Sequence, residues 1–299
     1  MSPLTVVQEE TTKYTHHDQF FKELIHEFFD EFLEAFFPDV HHHIDFSSIK
    51  PLSEEVFTDL LKGKSRRADI VVEAKLKGTD TLLIIHVEPQ SYTETNFHER
   101  MFHYFSLLYN KYRKPILPIA VFSYDEKHDE QSEFTIGFPF FHVLTFNFLM
   151  LELRKLNWRD YIKSDNPAAA ALLSKMGYTK KERVQVRKEF LRMIARMEIN
   201  PARARLINDF FEKYLLLNKE EEEELMKEIN ELENAEEILK LPNSWEERGI
   251  EKGIEKGIEE GIERVALEMI KEGFPIDVIA KVTHLDRQEI ESIQKQTSE

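Results

Sequence analysis

The feature that most constrains this chain is a pair of apolar segments joined by a four-residue link. Residues 66–76, RRADIVVEAKL, alternate apolar and polar side chains, and residues 81–90, TLLIIHVEPQ, begin with a continuous apolar run. Both patterns are typical of β-strands. The link between them, KGTD, is too short for a parallel crossover, so the two strands are predicted to form an antiparallel hairpin.

The length of the link also predicts the register of the hairpin. With the two central residues of the link as the loop, Ile70 lies opposite Val87 and Asp69 lies opposite Glu88. A four-residue loop gives the same pairing. The apolar face of the two strands is then continuous, which supports this register independently of the acids.

Two carboxylates directly opposed on neighbouring strands repel each other unless something neutralises them. Asp69 and Glu88 stand at one end of the hairpin, beside the backbone carbonyl of Pro89. Carboxylate and carbonyl oxygens are the ligands that hard cations prefer. We therefore predict a site for Mg²⁺, or for Mn²⁺ in its place, with Asp69, Glu88 and Pro89 as metal ligands. The alternative is that one acid forms a cap or salt bridge while the other is a solvated strand end.

The rest of the first half predicts a mixed α/β layer fold. Apolar residues at helical spacing run through residues 18–37, where Asp18 can cap the start and Pro38 ends the pattern. A second helix is predicted in residues 96–114. Residues 116–124 and 141–151 have strand patterns. The order helix, hairpin, helix, strand, strand indicates a mixed sheet flanked by helices in residues 1–165.

The second half is predicted to be helical. Residues 166–245 show only helical patterns and form an α-helical module, and residues 246–299 contain a connector followed by a small tail with the pattern of a helix-turn-helix. The connector repeats a tetrapeptide with a glycine at the same place, at Gly249, Gly253, Gly257 and Gly261. Two interpretations stay open: a homodimer through close packing of this helix, or a charged flexible connector.

An acidic residue on one strand, followed by E-x-Q at the end of the next strand and preceded by a helix, resembles the PD-(D/E)XK nuclease superfamily. The segments HHDQFFKEL, RRADIVVEAKL, HVEPQ and ERMFHYFSLLY are similar to those of the recombination-promoting nuclease (Rpn) or YhgA-like transposase family. The resemblance implies a restriction-endonuclease-like core of the PD-(D/E)XK type. It also implies a Mg²⁺-dependent DNA endonuclease associated with recombination or transposition.

The resemblance implies a role for individual residues by motif position. Asp69 and Glu88 would be catalytic metal ligands, and Gln90 stands where the superfamily more often has lysine. Glutamine can orient a water molecule but brings no charge to the transition state. Lys22 is the candidate for the missing cation, one turn from Asp18 on the first helix. Both residues complete the predicted catalytic set, although an N-cap role also explains Asp18.

Cationic side chains on helices are the candidates for DNA contacts. The net charge of −16 argues against a chain coated in nucleic acid, but residues 166–218 carry 11 basic and 5 acidic side chains. The predicted contacts are Lys180, Lys181 and Arg187 in that segment and Arg100 on the helix after the E-x-Q strand. The alternatives are a solvated basic helix and, for Arg100, an arginine that extends to solvent beside a packed Tyr104.

The chain has no cysteine, no signal-peptide pattern and no apolar run of the ~20 residues that span a bilayer. We therefore expect a cytoplasmic protein with no membrane contact, and the family resemblance implies DNA as its partner. A second function stays open beside the nuclease. The chain could be a catalytically weak or inactive nuclease-fold protein that binds DNA or a scaffold partner through its helical half.

Overall fold

The computed structural model describes residues 19–52, 70–126, 128–239, 241, 261–262, 264–285 and 290. The chain divides into two compact units, Met1–Leu241 and Pro242–Glu299, and each is described by itself. The domain boundaries predicted after residues 165 and 245 stay predictions.

A five-stranded mixed sheet forms the centre of the first unit. Its strands lie in the spatial order β1 (Ile44–Pro51), β2 (Ile70–Leu76), β3 (Leu82–Gln90), β4 (Ile116–Phe122) and β7 (Leu149–Glu152). The first three strands pair antiparallel, and β3, β4 and β7 pair parallel. Two further strands, β5 (Glu133–Phe138) and β6 (Phe141–Asn147), form a separate antiparallel hairpin. The predicted mixed α/β class is confirmed.

The predicted hairpin register is confirmed over the described residues. Ile70 pairs with Val87, and the same antiparallel register continues to Lys75 and Leu82. Gly78 in the link has a φ of 74°, in the left-handed region that favours glycine. The predicted pairing of Asp69 with Glu88 lies outside the described residues, because these begin again at Ile70.

The single helix predicted for residues 18–37 is interrupted. Helix α1 covers residues 19–27, α2 covers Phe29–Phe36 and α3 covers Pro38–His43. Phe28 separates the first two with a φ of −119° and a ψ of 41°, while its fully buried ring keeps the helical spacing of apolar residues. Periodicity alone could therefore not show the break. The predicted second helix is confirmed as α4, Phe97–Tyr112.

Residues 141–151 have the predicted strand structure, but they form two strands and not one. The first part, β6, pairs with β5, whereas the second part, β7, pairs with β4 in the main sheet. Phe148 lies between them and is itself buried, so the apolar pattern continues across the break. Strands β1 and β5 were not predicted. Apolar residues alternate in β5 as in other strands, whereas β1 has no regular alternation and pairs with β2 through a shifted register.

The helices predicted after residue 166 are present. They are α5 (Pro167–Leu172), α6 (Arg183–Arg196), α7 (Pro201–Tyr214), α8 (Lys219–Asn230) and α9 (Ala235–Leu239). The side chain of Asn166 accepts a hydrogen bond from the Ala169 backbone and so caps α5. Its Nδ2 also donates a hydrogen bond of 2.8 Å to the Glu31 carbonyl oxygen, which connects α5 to α2.

Gly177 occupies a position with no room for a side chain. A Cβ there would lie 2.7 Å from the Arg154 carbonyl oxygen and 2.8 Å from that of Leu156. Because both neighbours are backbone atoms, we expect Gly177→Ala to lower the free energy of unfolding by about 1–3 kcal/mol. Urea denaturation measures the effect. Gly137→Ala is the matched control, since its nearest atom lies at 3.5 Å, and equal stability of both variants would contradict the prediction.

The second unit contains two described helices, α10 (residues 264–271) and α11 (Ile276–Thr283). They pack around Ala266, Ile279 and Ile290. Of the repeated glycines only Gly261 is described, so the homodimer through this repeat stays a prediction. Within the described residues, none of the helices is both long and apolar enough to cross a bilayer.

Candidate functional site

The carboxyl ends of β3 and β4 meet at one edge of the sheet because the two strands run parallel. Gln90, the last residue of β3, pairs with Phe122, the last residue of β4. The next residue, Ser123, donates its backbone N–H to the Gln90 carbonyl at 2.9 Å. Open α/β sheets commonly bind ligands at this edge.

Alternate residues of β3 place three polar side chains on the face covered by α4. These are His86, Glu88 and Gln90, and all three are buried. The His86 ring lies 5.8 Å from the ring of Tyr104 on α4, edge to face. The predicted position of Glu88 and Gln90 at the end of a strand is therefore confirmed. The strand does not leave the core there, because α4 covers both side chains.

Arg100 holds the acid and the amide together. Its Nη2 donates to Glu88 Oε1 at 3.0 Å and to Gln90 Oε1 at 2.6 Å, while its Nη1 donates to the Glu94 carboxylate. The guanidinium also lies 5.0 Å from the ring centroid of Phe97, and its side chain is only 11% exposed. Arg100 thus contacts the predicted catalytic residues directly, which its sequence position did not show.

The Gln90 amide has a defined orientation. Its Nε2 donates to the Tyr92 carbonyl at 2.6 Å, so its oxygen faces the Arg100 guanidinium. Gln90 is 2% exposed. Both ends of the amide are therefore held by neighbours, as expected of a residue that positions another group.

One carboxylate oxygen of Glu88 is buried and accepts no hydrogen bond from the residues that the structure describes. The residue is 7% exposed, and within the described part of the chain its Oε2 has no hydrogen-bond partner. His86 Nε2 is 3.8 Å away, beyond hydrogen-bond distance. A buried polar atom left in this way costs about 1–3 kcal/mol, and more if it is charged. Such an oxygen fits a cation ligand, as the sequence predicted for Glu88.

The structure gives less information on the other residues predicted to bind metal or to act in catalysis. Asp69 and Asp18 lie outside the described residues, and Pro89 is a buried residue of β3. Lys22 is half-buried on α1. Among the described side chains, no group of three or more His, Cys, Asp or Glu is arranged to hold a metal ion. A metal on Glu88 would therefore require further ligands such as Asp69 or backbone oxygens.

The predicted DNA contacts separate into exposed and buried residues. Lys180 and Lys181 are exposed in a single 3₁₀ turn before α6. Arg187 is only 3% exposed, forms a salt bridge with Glu212, and lies over the Phe190 and Phe211 rings. A guanidinium enclosed in this way has no face for a phosphate, so the structure corrects the prediction for Arg187. Its charge could be counted in the sequence, but its burial could not.

A polar pocket adjoins the site on the side of Glu94. Its volume is about 280 Å³, and its lining comprises Thr93, Glu94, Thr95, His98, His128, Asp129, Glu130 and Gln131. Tyr124 lies two residues after the end of β4. Burial raises the pKa of the Tyr124 phenol, and the Glu130 carboxylate raises it further. Sequence reasoning missed Glu94, because no local pattern connects it with Arg100.

A family model described as "Putative transposase, YhgA-like" matches residues 15–198. This range is about three-fifths of the chain and includes β1 to β7, α4 and every described residue of the candidate site. No curated protein and no solved structure matches the chain.

Proposed function

Because the chain belongs to the YhgA-like transposase family, whose resemblance was visible in the sequence, we propose that it is a Mg²⁺-dependent DNA endonuclease associated with recombination or transposition. Membership itself indicates a transposase- or nuclease-related role. The observation that carries the finer proposal is Glu88. Its carboxylate is buried at the carboxyl edge of a mixed sheet. One oxygen accepts a hydrogen bond from Arg100, and the other has no hydrogen-bond partner in the described part of the chain.

The topology supports a PD-(D/E)XK-type core within this proposal. An antiparallel hairpin leads into parallel strands, and the E-x-Q motif occupies the last three positions of the second hairpin strand, β3. A helix, α4, follows and covers the face that carries the motif. The family match spans this whole arrangement.

The residues that would hold the metal are Glu88 through Oε2, Asp69 and the carbonyl of Pro89. The observed register supports this set, because one further pair beyond Ile70 and Val87 would be Asp69 and Glu88. When bound, Mg²⁺ would lower the pKa of a water molecule and polarise the scissile phosphate. The proposed reaction is hydrolysis of a phosphodiester bond, which leaves a DNA strand break.

The other residues of the site have distinct proposed roles. Gln90 would orient the attacking water, and Arg100 would position Glu88 and Gln90 rather than bind phosphate, since its guanidinium already serves three acceptors. Lys22 is the proposed source of the charge that Gln90 lacks. The exposed Lys180 and Lys181 would contact the DNA backbone, so binding should weaken as salt is raised.

One observation favours the second candidate function, a DNA-binding scaffold without cleavage. Arg100 already neutralises Glu88 Oε1 and occupies the oxygen of Gln90. If this arrangement persists on DNA, the Arg100 guanidinium is not available to stabilise the transition state. The scaffold would then act through the helical half.

The two functions are separated by incubating the full-length protein with supercoiled plasmid and either Mg²⁺ or Mn²⁺. The nuclease proposal expects nicked and linear products that disappear when EDTA removes the metal. DNA binding in a gel-shift assay, with no cleavage in either metal, would favour the scaffold. Cleavage that persists at full rate in EDTA would contradict the metal-dependent mechanism.

A further inference from the structure

The turn between β5 and β6 exposes a cluster of aromatic side chains. Phe138, Phe140 and Phe141, which we call the aromatic tip, are 60%, 87% and 61% exposed. Phe140 is the most exposed large apolar side chain in the described part of the chain. Burying a phenylalanine stabilises a protein by about 1.5–3 kcal/mol, so a solvent-facing cluster of this kind marks an interaction surface.

The base of this hairpin is fixed to the body of the protein. Phe134 on β5 stacks on Phe102 of α4 at 5.2 Å, and Phe146 on β6 lies 5.5 Å from the same ring. Phe146 is buried in the core cluster next to α4, and Phe102 and Phe134 are partly buried against it. The aromatic tip is therefore carried on an anchored strand pair and not on a long irregular loop.

Two rings of the aromatic tip have a geometry suited to stacking. The rings of Phe138 and Phe140 are nearly parallel, with 13° between their planes and 5.7 Å between their centroids. Because both are more than half exposed, ring surface is open to a flat ligand. Nucleic-acid bases stack on exposed aromatic rings, and such rings can also insert between neighbouring bases.

The charge distribution favours nucleic acid as the occupant. The chain has 56 acidic residues among 299, but no Asp, Glu, Lys or Arg occurs from residue 134 to 151. The net charge of −16 opposes a polyanion, whereas this stretch carries no acidic side chain that would repel one. Contacts here would be made to bases and not to phosphates.

The position of the hairpin connects the aromatic tip with the candidate site. Phe134 lies 5.8 Å from the ring of His98, which lines the pocket together with Glu94, the partner of Arg100. From Phe134 to Phe138 the strand rises about 13 Å, at about 3.3 Å per residue. This length corresponds to about four base pairs of duplex at about 3.4 Å each. One DNA molecule can therefore contact both the aromatic tip and the pocket beside the candidate site.

We propose that the aromatic tip is a base-stacking element that engages unstacked or distorted DNA beside the candidate site. The proposal rests on DNA as the substrate of the proposed function and adds the kind of DNA contact. It predicts a preference for duplexes that contain unpaired bases, because their unstacking costs less. A second copy of the chain, another protein or a lipid surface would be the occupant if the tip serves association instead.

The test measures binding of the full-length protein to a duplex with a short internal bubble that contains 2-aminopurine, in Ca²⁺ to slow cleavage. We expect Phe140→Ala to raise the Kd about 10-fold or more and to remove the change in 2-aminopurine fluorescence. Phe140→Trp should keep the wild-type Kd, and bound DNA should quench the new indole. Val143→Ala is the matched control, because Val143 is 43% exposed on the same hairpin.

The outcomes separate this proposal from the proposed function. An unchanged Kd and fluorescence signal in Phe140→Ala, while the wild type binds and cleaves, would overturn the stacking role and leave the nuclease intact. A wild type that neither binds nor cleaves DNA would overturn both. A dimer in light scattering, or binding to phosphatidylcholine vesicles, that Phe140→Ala removes without any effect on DNA binding would reassign the tip and overturn the proposal.

Discussion

Glu88→Gln is expected to reduce plasmid cleavage by about 100-fold or more while the protein stays folded. The substitution keeps the size of the side chain but removes the charge that would hold Mg²⁺, and metal activation supplies several kcal/mol, at about 1.4 kcal/mol per tenfold in rate. The cleavage rate on supercoiled plasmid is the first measurement. The free energy of unfolding from urea denaturation is the second.

The two measurements should respond differently because Glu88 Oε2 is buried without a hydrogen-bond partner among the described residues. Glu88→Gln removes a desolvation cost but also one ion pair of Arg100, which keeps the Glu94 carboxylate as its charged partner. Because the two effects oppose each other, we expect stability to change by less than about 1 kcal/mol. Loss of activity without loss of stability is the pattern of a functional residue. Equal losses of both would indicate a structural role for Glu88.

Glu73→Gln is the matched control for this substitution. Glu73 lies on the neighbouring strand β2, half-buried, and its carboxylate forms a salt bridge with Lys114. Loss of this salt bridge should lower the free energy of unfolding and leave the cleavage rate unchanged. A Glu88→Gln protein that cleaves at the wild-type rate, or a Glu73→Gln protein that loses as much activity, would contradict the assignment. Asp69→Asn tests the proposed second carboxylate in the same assay.

The sequence could predict the hairpin and its register because both follow from local information. The four-residue link permits only an antiparallel connection, and alternation along residues 70–76 sets which side chains share a face. The position of Glu88 and Gln90 at the end of the strand follows from the same pattern, whereas their burial depends on α4 and was not predicted. These were also the residues on which the family resemblance depended.

The sequence could not predict contacts that depend on how elements pack. Arg100 reaches Glu88 across twelve residues because α4 crosses the end of β3, and no spacing rule gives that crossing. Arg187 carries the same charge as an exposed arginine, yet the packing of α6 against α7 buries it. The division of residues 141–151 between two sheets also depends on tertiary pairing, because the apolar pattern there is continuous.

Arg100→Ala is expected to lower both stability and activity. Without the guanidinium, Glu88 loses the hydrogen bond to Oε1 and becomes a buried carboxylate with neither oxygen paired among the described residues. Removing one member of a buried ion pair typically costs about 3–5 kcal/mol. Because the Arg100 side chain is 11% exposed and water can enter the space it leaves, we expect about 2–4 kcal/mol. Cleavage should fall because Gln90 also loses its partner.

The loss of stability caused by Arg100→Ala should depend on the charge of Glu88. A double-mutant cycle, with stability taken from urea denaturation, measures this dependence. In an Arg100→Ala, Glu88→Gln protein no buried carboxylate remains at position 88, so the double variant should be more stable than the two single effects predict by about 1 kcal/mol or more. Lys111→Ala is the control, since Lys111 is exposed on the same helix and should change stability by less than about 0.5 kcal/mol. Strict additivity would contradict the pairing.

The Arg100→Ala protein also gives a test of metal binding that does not depend on cleavage. A buried carboxylate that has lost its cationic partner gains more from a bound divalent ion than one that keeps it, because ligands that bind only the folded state stabilise it. Mg²⁺ or Mn²⁺ should therefore raise the Tm of Arg100→Ala more than that of the wild type, and should fail to do so once Glu88→Gln is added. A metal-dependent shift that is the same in all three proteins would place the ion away from Glu88.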